Sequence, residues 1–159
     1  MTELNTYLQH KIKELNGTWI SKNSGYEKEA CINLGFTCET KRYWDCKYND
    51  TYIEIKKGKS IWLNEVRYCE IVMNSNEDCK KKTFTIFIIP SKNKTIIDTI
   101  YIIDTQKLIH FMKLTPEWAV QVLCRYKETG KSLNYQYPMT IKELREIADF
   151  KISNVLMPS

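Results

Sequence analysis

Apolar residues recur at Leu4, Leu8, Ile12 and Leu15, and this helical spacing predicts a helix over 3–15 that Asn16-Gly17 stops. A second helix is predicted over 26–34, after Ser24-Gly25, with Gly35 ending it. The period then changes. Residues 41–48 (KRYWDCKY) and 51–57 (TYIEIKK) are rich in aromatic and β-branched types and read as strands. Asn49-Asp50 supplies turn chemistry between them, and Gly58 closes the second. Residues 60–73 (SIWLNEVRYCEIVM) follow a Ser N-cap candidate and are predicted helical, ahead of a polar loop over 74–82. Residues 83–89 (TFTIFII) and 95–103 (TIIDTIYII) read as buried strands joined by a loop at 91–94, the first ended by Pro90. Asp104 is placed to cap a short helix running to about 112, and Thr115-Pro116-Glu117 opens another over 116–127. Residues 131–139 read as irregular and tyrosine-rich. Thr140 and Glu143 form a capping box that opens a last helix through 149, and 151–159 reads as a loose tail.

The order is helix, helix, strand, strand, helix, strand, strand, helices, with no linker dividing it. This predicts one α/β domain over 1–159, a mixed central sheet flanked by helices. The 159 residues are enough for a real core, to which ten tyrosines and four tryptophans contribute bulk.

Composition removes several function classes. No apolar run approaches the roughly 20 residues that span a membrane. The six cysteines (Cys31, Cys38, Cys46, Cys69, Cys79 and Cys124) include no C-x-x-C pair, and the two histidines, His10 and His110, stand far apart. A zinc site is therefore not expected, and reduced, packing cysteines are. The amino-terminal segment MTELNTYLQHKIKEL is charged and amphipathic rather than a secretory leader. That predicts an intracellular protein, cytoplasmic, or nuclear if the source is a eukaryotic virus or host. A net charge of +5 favours an anionic partner, nucleic acid above all. The densest basic runs are Lys56, Lys57 and Lys59, and Lys80, Lys81 and Lys82, which also suit solvated loops.

The predicted hairpin carries the candidate chemistry. With the turn at Asn49-Asp50, Tyr48 pairs with Thr51, Lys47 with Tyr52, Cys46 with Ile53 and Asp45 with Glu54. Residues directly opposite share a face, with Cα atoms about 4.5–5.5 Å apart. Lys56, two residues beyond Glu54, falls on that face again. Trp44, Cys46, Ile53 and Ile55 would form the core face, leaving the two acids and the lysine on a more open surface. A three-residue loop would send the acids to opposite faces. Facing carboxylates repel unless a cation lies between them, and carboxylates with water are the ligand set of Mg²⁺. A lysine beside such a site can orient water and stabilise a charged phosphate. The three residues together suit phosphodiester hydrolysis; the same charges also suit an ordinary surface hairpin.

Asp45, eight intervening residues and then Glu54-Ile55-Lys56 resembles the PD-(D/E)XK motif of restriction endonucleases and related nucleases. Helix, hairpin, helix and further strands follow in the order of that superfamily over about residues 20–125. Trp44 stands where the motif has proline. The resemblance implies a restriction-endonuclease-like fold and a Mg²⁺-dependent (Mn²⁺ may substitute) endonuclease. Its metal ligands would be Asp45, Glu54, the Ile55 backbone carbonyl and Glu29 on the preceding helix, with Lys56 assisting the attacking water. It further implies a small homodimeric type II enzyme that cuts double-stranded DNA to leave 5′-phosphate ends. Asn64 and Tyr68, four apart, weakly resemble a Gln-x-x-x-Tyr pattern of one branch, and also suit a surface amide and a packing tyrosine.

DNA contacts are expected from Lys57, Lys59, Arg67, Lys80, Lys81 and Lys82 to phosphates, and from Asn134 and Gln136 to base edges. Two other readings stand beside this one. The first is a structure-specific nuclease of the junction-resolvase or repair type. The second is a non-catalytic nucleic-acid-binding or inhibitor protein on the same scaffold.

Overall fold

The hairpin forms in the expected register. Cys46–Tyr48 (β2) runs antiparallel to Thr51–Lys57 (β3), pairing Cys46 with Ile53, Lys47 with Tyr52 and Tyr48 with Thr51. Asn49 takes the positive φ of 52° that the tight turn requires. The structure, a computed structural model, describes residues 2–14, 26–39, 44–58, 61–73, 83–90, 97–130 and 136–153.

Around the hairpin the chain builds a mixed six-stranded sheet. Its strands are Thr37–Cys38 (β1), β2, β3, Phe84–Pro90 (β5), Ile97–Asp104 (β6) and Phe150–Ser153 (β8), in that spatial order. β3 and β5 are parallel, and every other neighbouring pair is antiparallel. Ile61–Asn64 (β4) and Gln136–Met139 (β7) pair separately as a two-stranded ribbon.

Helices cover both faces of the sheet. On one side Thr2–Glu14 (α1) contributes Leu4, Leu8 and Ile12, and Tyr26–Asn33 (α2) with the turn after it contributes Ala30, Cys31, Leu34 and Phe36. These pack against Ile53, Ile55, Ile86, Ile88, Ile100 and Ile102. On the other side lie Glu65–Met73 (α3), Thr105–Phe111 (α4), Pro116–Thr129 (α5) and Ile141–Ile147 (α6), together with the ribbon. Leu63, Val66, Tyr68, Leu108, Ala119 and Leu144 there meet Tyr52, Phe87, Tyr101 and Ile103. The predicted fold class, a mixed sheet flanked by helices, is the one observed. Among the described residues no helix is long and apolar enough to cross a membrane.

The end signals act as expected. Asp104 accepts from the Gln106 N–H, Thr115 caps the Pro116 helix, and Thr140 with Glu143 forms the complete capping box. Three elements differ from expectation. Residues 61–64 are a strand, with Ile61 and Leu63 buried and Trp62 exposed. This period of two belongs to β4, and the helix begins only at Glu65, where Asn64 Oδ1 accepts the Arg67 N–H at 3.3 Å. Residues 136–139, expected to be irregular, pair with β4 across more than seventy residues of chain. Lys151–Ser153, expected in the tail, belong to β8, which buries Ile152 against β6.

Gly35 and Gly130 both take positive φ, 74° and 70°. A Cβ on Gly130 would meet open space, whereas one on Gly35 would strike the Tyr7 hydroxyl, which donates to the Leu34 carbonyl at 2.6 Å. Gly130→Ala should cost about 1 kcal/mol from backbone strain alone. Gly35→Ala should cost clearly more, and part of that excess should return in a Tyr7→Phe background. Denaturant unfolding of wild type, the three single variants and the Tyr7→Phe/Gly35→Ala double variant measures this, and equal costs for the two glycines would contradict it.

Candidate active site

Asp45 sits at a bend just before β2, and this breaks the alternation expected through 44–46. Its N–H donates to the Ile53 carbonyl at 3.0 Å, and its own carbonyl accepts from Glu39. Asp45 is therefore no ladder partner of Glu54. The bend also turns Trp44 away from Cys46: Trp44 stacks on Tyr52 at 6.3 Å, on the opposite face from Cys46, Ile53 and Ile55. The expected four-residue core face of Trp44, Cys46, Ile53 and Ile55 thus loses Trp44.

The acids are brought together all the same, by side chains. In an extended strand the N–H and C=O of one residue point to the same edge. Ile53 and Ile55 direct theirs toward the β2 edge, where β2 has already ended beside Ile55. The Asp45 carboxylate fills that place and accepts the Ile55 N–H through Oδ2 at 2.7 Å. The Ile55 carbonyl emerges on the same edge. Glu54 then lies within hydrogen-bonding reach of the Asp45 carboxyl, and the Lys56 ammonium is close enough to act on it.

The surroundings of Glu54 overturn one expectation. Its face of the sheet is not an open surface but the second core, and Glu54 is only 2% exposed. It is a carboxyl inside a hydrophobic layer, and among the described residues its ion-pair partner is Arg67, whose Nη1 lies 2.7 Å from Glu54 Oε2. Burial pushes the Glu54 carboxyl up to about 8, with the Asp45 carboxyl adding to the rise, while Lys56 and Arg67 only partly offset it. Arg67 is itself pulled down by burial, but the charge of Glu54 beside it leaves its guanidinium raised overall. Removing one partner of such a buried pair costs about 3–5 kcal/mol.

A small polar nest continues beneath the acid. Thr85, the cross-strand neighbour of Glu54 on β5, is fully buried and shares a 3.2 Å hydrogen bond with Thr105. The Tyr68 hydroxyl, also buried, makes no well-formed hydrogen bond, and Thr85 is among the polar groups near enough to influence it. Its phenol is raised, by burial first and then by Glu54. Alternating threonines in the strand TFTIFII were the sequence signal for this nest.

The remaining expected residues scatter. Arg67, expected at phosphates, is engaged with Glu54. Tyr68 packs inward, as its bland reading had it, and Asn64 serves as the cap of α3. Gln136 is exposed on β7 directly opposite Asn64, in the outward row that also pairs Trp62 with Pro138. Lys57 is half-buried at the end of β3. Glu29 falls on α2, but its side chain lies outside the described set, as do Lys59, Lys80, Lys81, Lys82 and Asn134. A shallow groove of about 600 Å³ lined by Tyr7, His10, Lys11 and Tyr48 lies along α1, the helix packed on the opposite face of the sheet from Glu54.

The donor set fits a hard divalent ion. Mg²⁺ is commonly held by one or two carboxylates, with waters and substrate phosphates completing its shell. Asp45 and Glu54 in contact, with the Ile55 carbonyl on the Asp45 edge, are donors of that kind. Among the described residues no three or more His, Cys, Asp or Glu side chains gather into a metal-binding group. No family model matches the chain, and no curated protein matches it.

The raised Glu54 carboxyl has a stability consequence. Below about pH 4.5, its ordinary value, both folded and unfolded chains hold the proton. Between there and about 8 only the folded chain does, so this group's stabilising contribution is lost as pH rises through that window. The difference in unfolding free energy between wild type and Glu54→Gln should therefore move against wild type by a few kcal/mol, to order of magnitude, from pH 4.5 to 8.5. A difference independent of pH would show that Glu54 titrates normally.

Proposed function

We propose that this protein is a Mg²⁺-dependent endonuclease acting on double-stranded DNA. Asp45 and Glu54 would be its metal-holding carboxylates and Lys56 the residue that handles the attacking water. The observation that carries this reading is geometric: Asp45 is held at 2.7 Å on the N–H of Ile55, which is next in the chain to the buried Glu54 and one residue from Lys56.

The residues divide the work by position. Asp45 is fixed by its bond to the Ile55 N–H and presents its other oxygen. Glu54 is held rigidly by burial, so the pair is preorganised and needs little rearrangement to receive a cation. A magnesium ion bound there would neutralise phosphate charge and lower the pKa of a bound water. Lys56 is half-buried, two residues beyond Glu54 on the same face of β3. From there its ammonium can orient that water toward phosphorus and stabilise the charge that builds on the phosphate oxygens. The water oxygen bonds to phosphorus, the bond to the 3′ oxygen breaks, and the products carry 5′-phosphate and 3′-hydroxyl ends. Cutting both strands at once needs two such sites, which a two-fold homodimer of the restriction-enzyme kind supplies. Branched DNA is the alternative substrate for the same chemistry.

A second reading has its own support. Glu54 is almost wholly buried and already neutralised in part by Arg67. In a non-catalytic nucleic-acid-binding protein this ion pair would simply fasten α3 to the sheet.

Incubation of the purified protein with long mixed-sequence duplex and with four-way junctions, in Mg²⁺, Mn²⁺ or EDTA, separates these readings. Cleavage should require the metal. Glu54→Ala should abolish it, and Lys56→Ala should slow it by about 10²–10⁴-fold, each with an unchanged circular dichroism spectrum. Cleavage of junctions alone would select the structure-specific enzyme. Intact DNA of both kinds in every metal would leave the binding protein.

A further inference from the structure

Among the described residues, the one ion pair made by the two acids is with Arg67. Arg67 is the third residue of α3, and its backbone N–H is tied to Asn64 Oδ1 at 3.3 Å, so the base of its side chain is fixed. Its guanidinium reaches Glu54 Oε2 at 2.7 Å, yet its side chain is 34% exposed against 3% for Glu54. Among the described residues this is its one ion pair. A guanidinium carries five N–H donors in a fork that matches phosphate as well as carboxylate. The acid is thus locked in place while its partner stands at the solvent boundary with donors to spare.

Glu54 Oε2 cannot serve two cations at once without strong repulsion between them. We propose that Arg67 and a divalent ion compete for Glu54: Arg67 holds the acid in the metal-free protein, and on metal binding its guanidinium turns to a phosphate of the DNA. This rests on the metal-dependent nuclease reading and adds to it a positioning residue that couples metal loading to substrate contact. Arg67 then fulfils the phosphate role expected of it, but only after it is displaced.

The test is a Mn²⁺ titration without DNA, followed by electron paramagnetic resonance of the free ion, on wild type, Arg67→Met and Arg67→Lys. With the competitor gone, Arg67→Met should bind Mn²⁺ about tenfold more tightly, or better, with Arg67→Lys between the two. Duplex binding in non-cleaving Ca²⁺ should weaken in Arg67→Met. Because Arg67→Met can lose stability, a second measurement uses wild type alone. On addition of Mg²⁺ the Arg67 side-chain N–H resonances should move toward those of a free guanidinium. Equal or weaker Mn²⁺ binding in the variants, or Arg67 resonances that stay still while wild type binds the metal, would overturn the competition and leave the nuclease reading standing. No Mn²⁺ binding by any of the proteins would overturn both.

Discussion

A strand covered on both faces has no polar side, and β3 is such a strand. Its period of two sends Ile53 and Ile55 into the core beneath α1 and α2, and Tyr52 and Glu54 into the core beneath α3. An acid on that strand cannot reach bulk water by changing rotamer. It must be met where it is, and the local structure reads as the means of meeting it. The bend at Asp45, the Arg67 ion pair and the buried, hydrogen-bonded pair of Thr85 and Thr105 all gather around one carboxyl. The cost of an unpaired buried charge, several kcal/mol, exceeds what any one neutral hydrogen bond returns. The arrangement therefore holds only as a set.

Much of this could be read from the chain. The turn residues Asn49-Asp50 and the alternation on either side specify the β2–β3 register from Cys46 to Ile53 and put Glu54 and Lys56 on one face of β3, whereas Asp45 comes near through the bend before β2 and its bond to the Ile55 N–H, which the alternation does not display. The helix caps at Asp104, Thr115 and Thr140 are local chemistry and were equally legible. What escaped was non-local. Ile61 and Leu63 fit a helix together with Val66 as well as they fit a strand, and only pairing with β7 decides between them. Residues 150–153 form a strand because β6 offers an edge, which no window of sequence displays. The burial of Glu54 depends on α3 crossing its face of the sheet, so the same residues that predicted an exposed acid belong to an interior one. Arg67 was recognisable as a basic residue, but its partner lies thirteen positions away on another element.

The two faces of the sheet divide the molecule by chemistry. The α1–α2 side is close to pure hydrocarbon, isoleucine against leucine, and its groove along α1 holds no residue of the acid cluster. The α3 side carries Glu54, Thr85 and Thr105 at interior positions. Rigidity on one side supports polarity on the other. An apolar layer behind β3 holds in place the strand that carries Glu54.

The ends of the sheet matter for how copies of this protein can meet. An exposed strand edge is a template on which another chain can add a strand. Here β1 is two residues long, β8 is four with Lys151 pointing outward, and β7 carries Pro138, which has no N–H to offer a ladder. Each of these edges is too short or too poor in donors to seed a growing sheet. Among the described residues, these edges are therefore poor templates for the addition of a further strand.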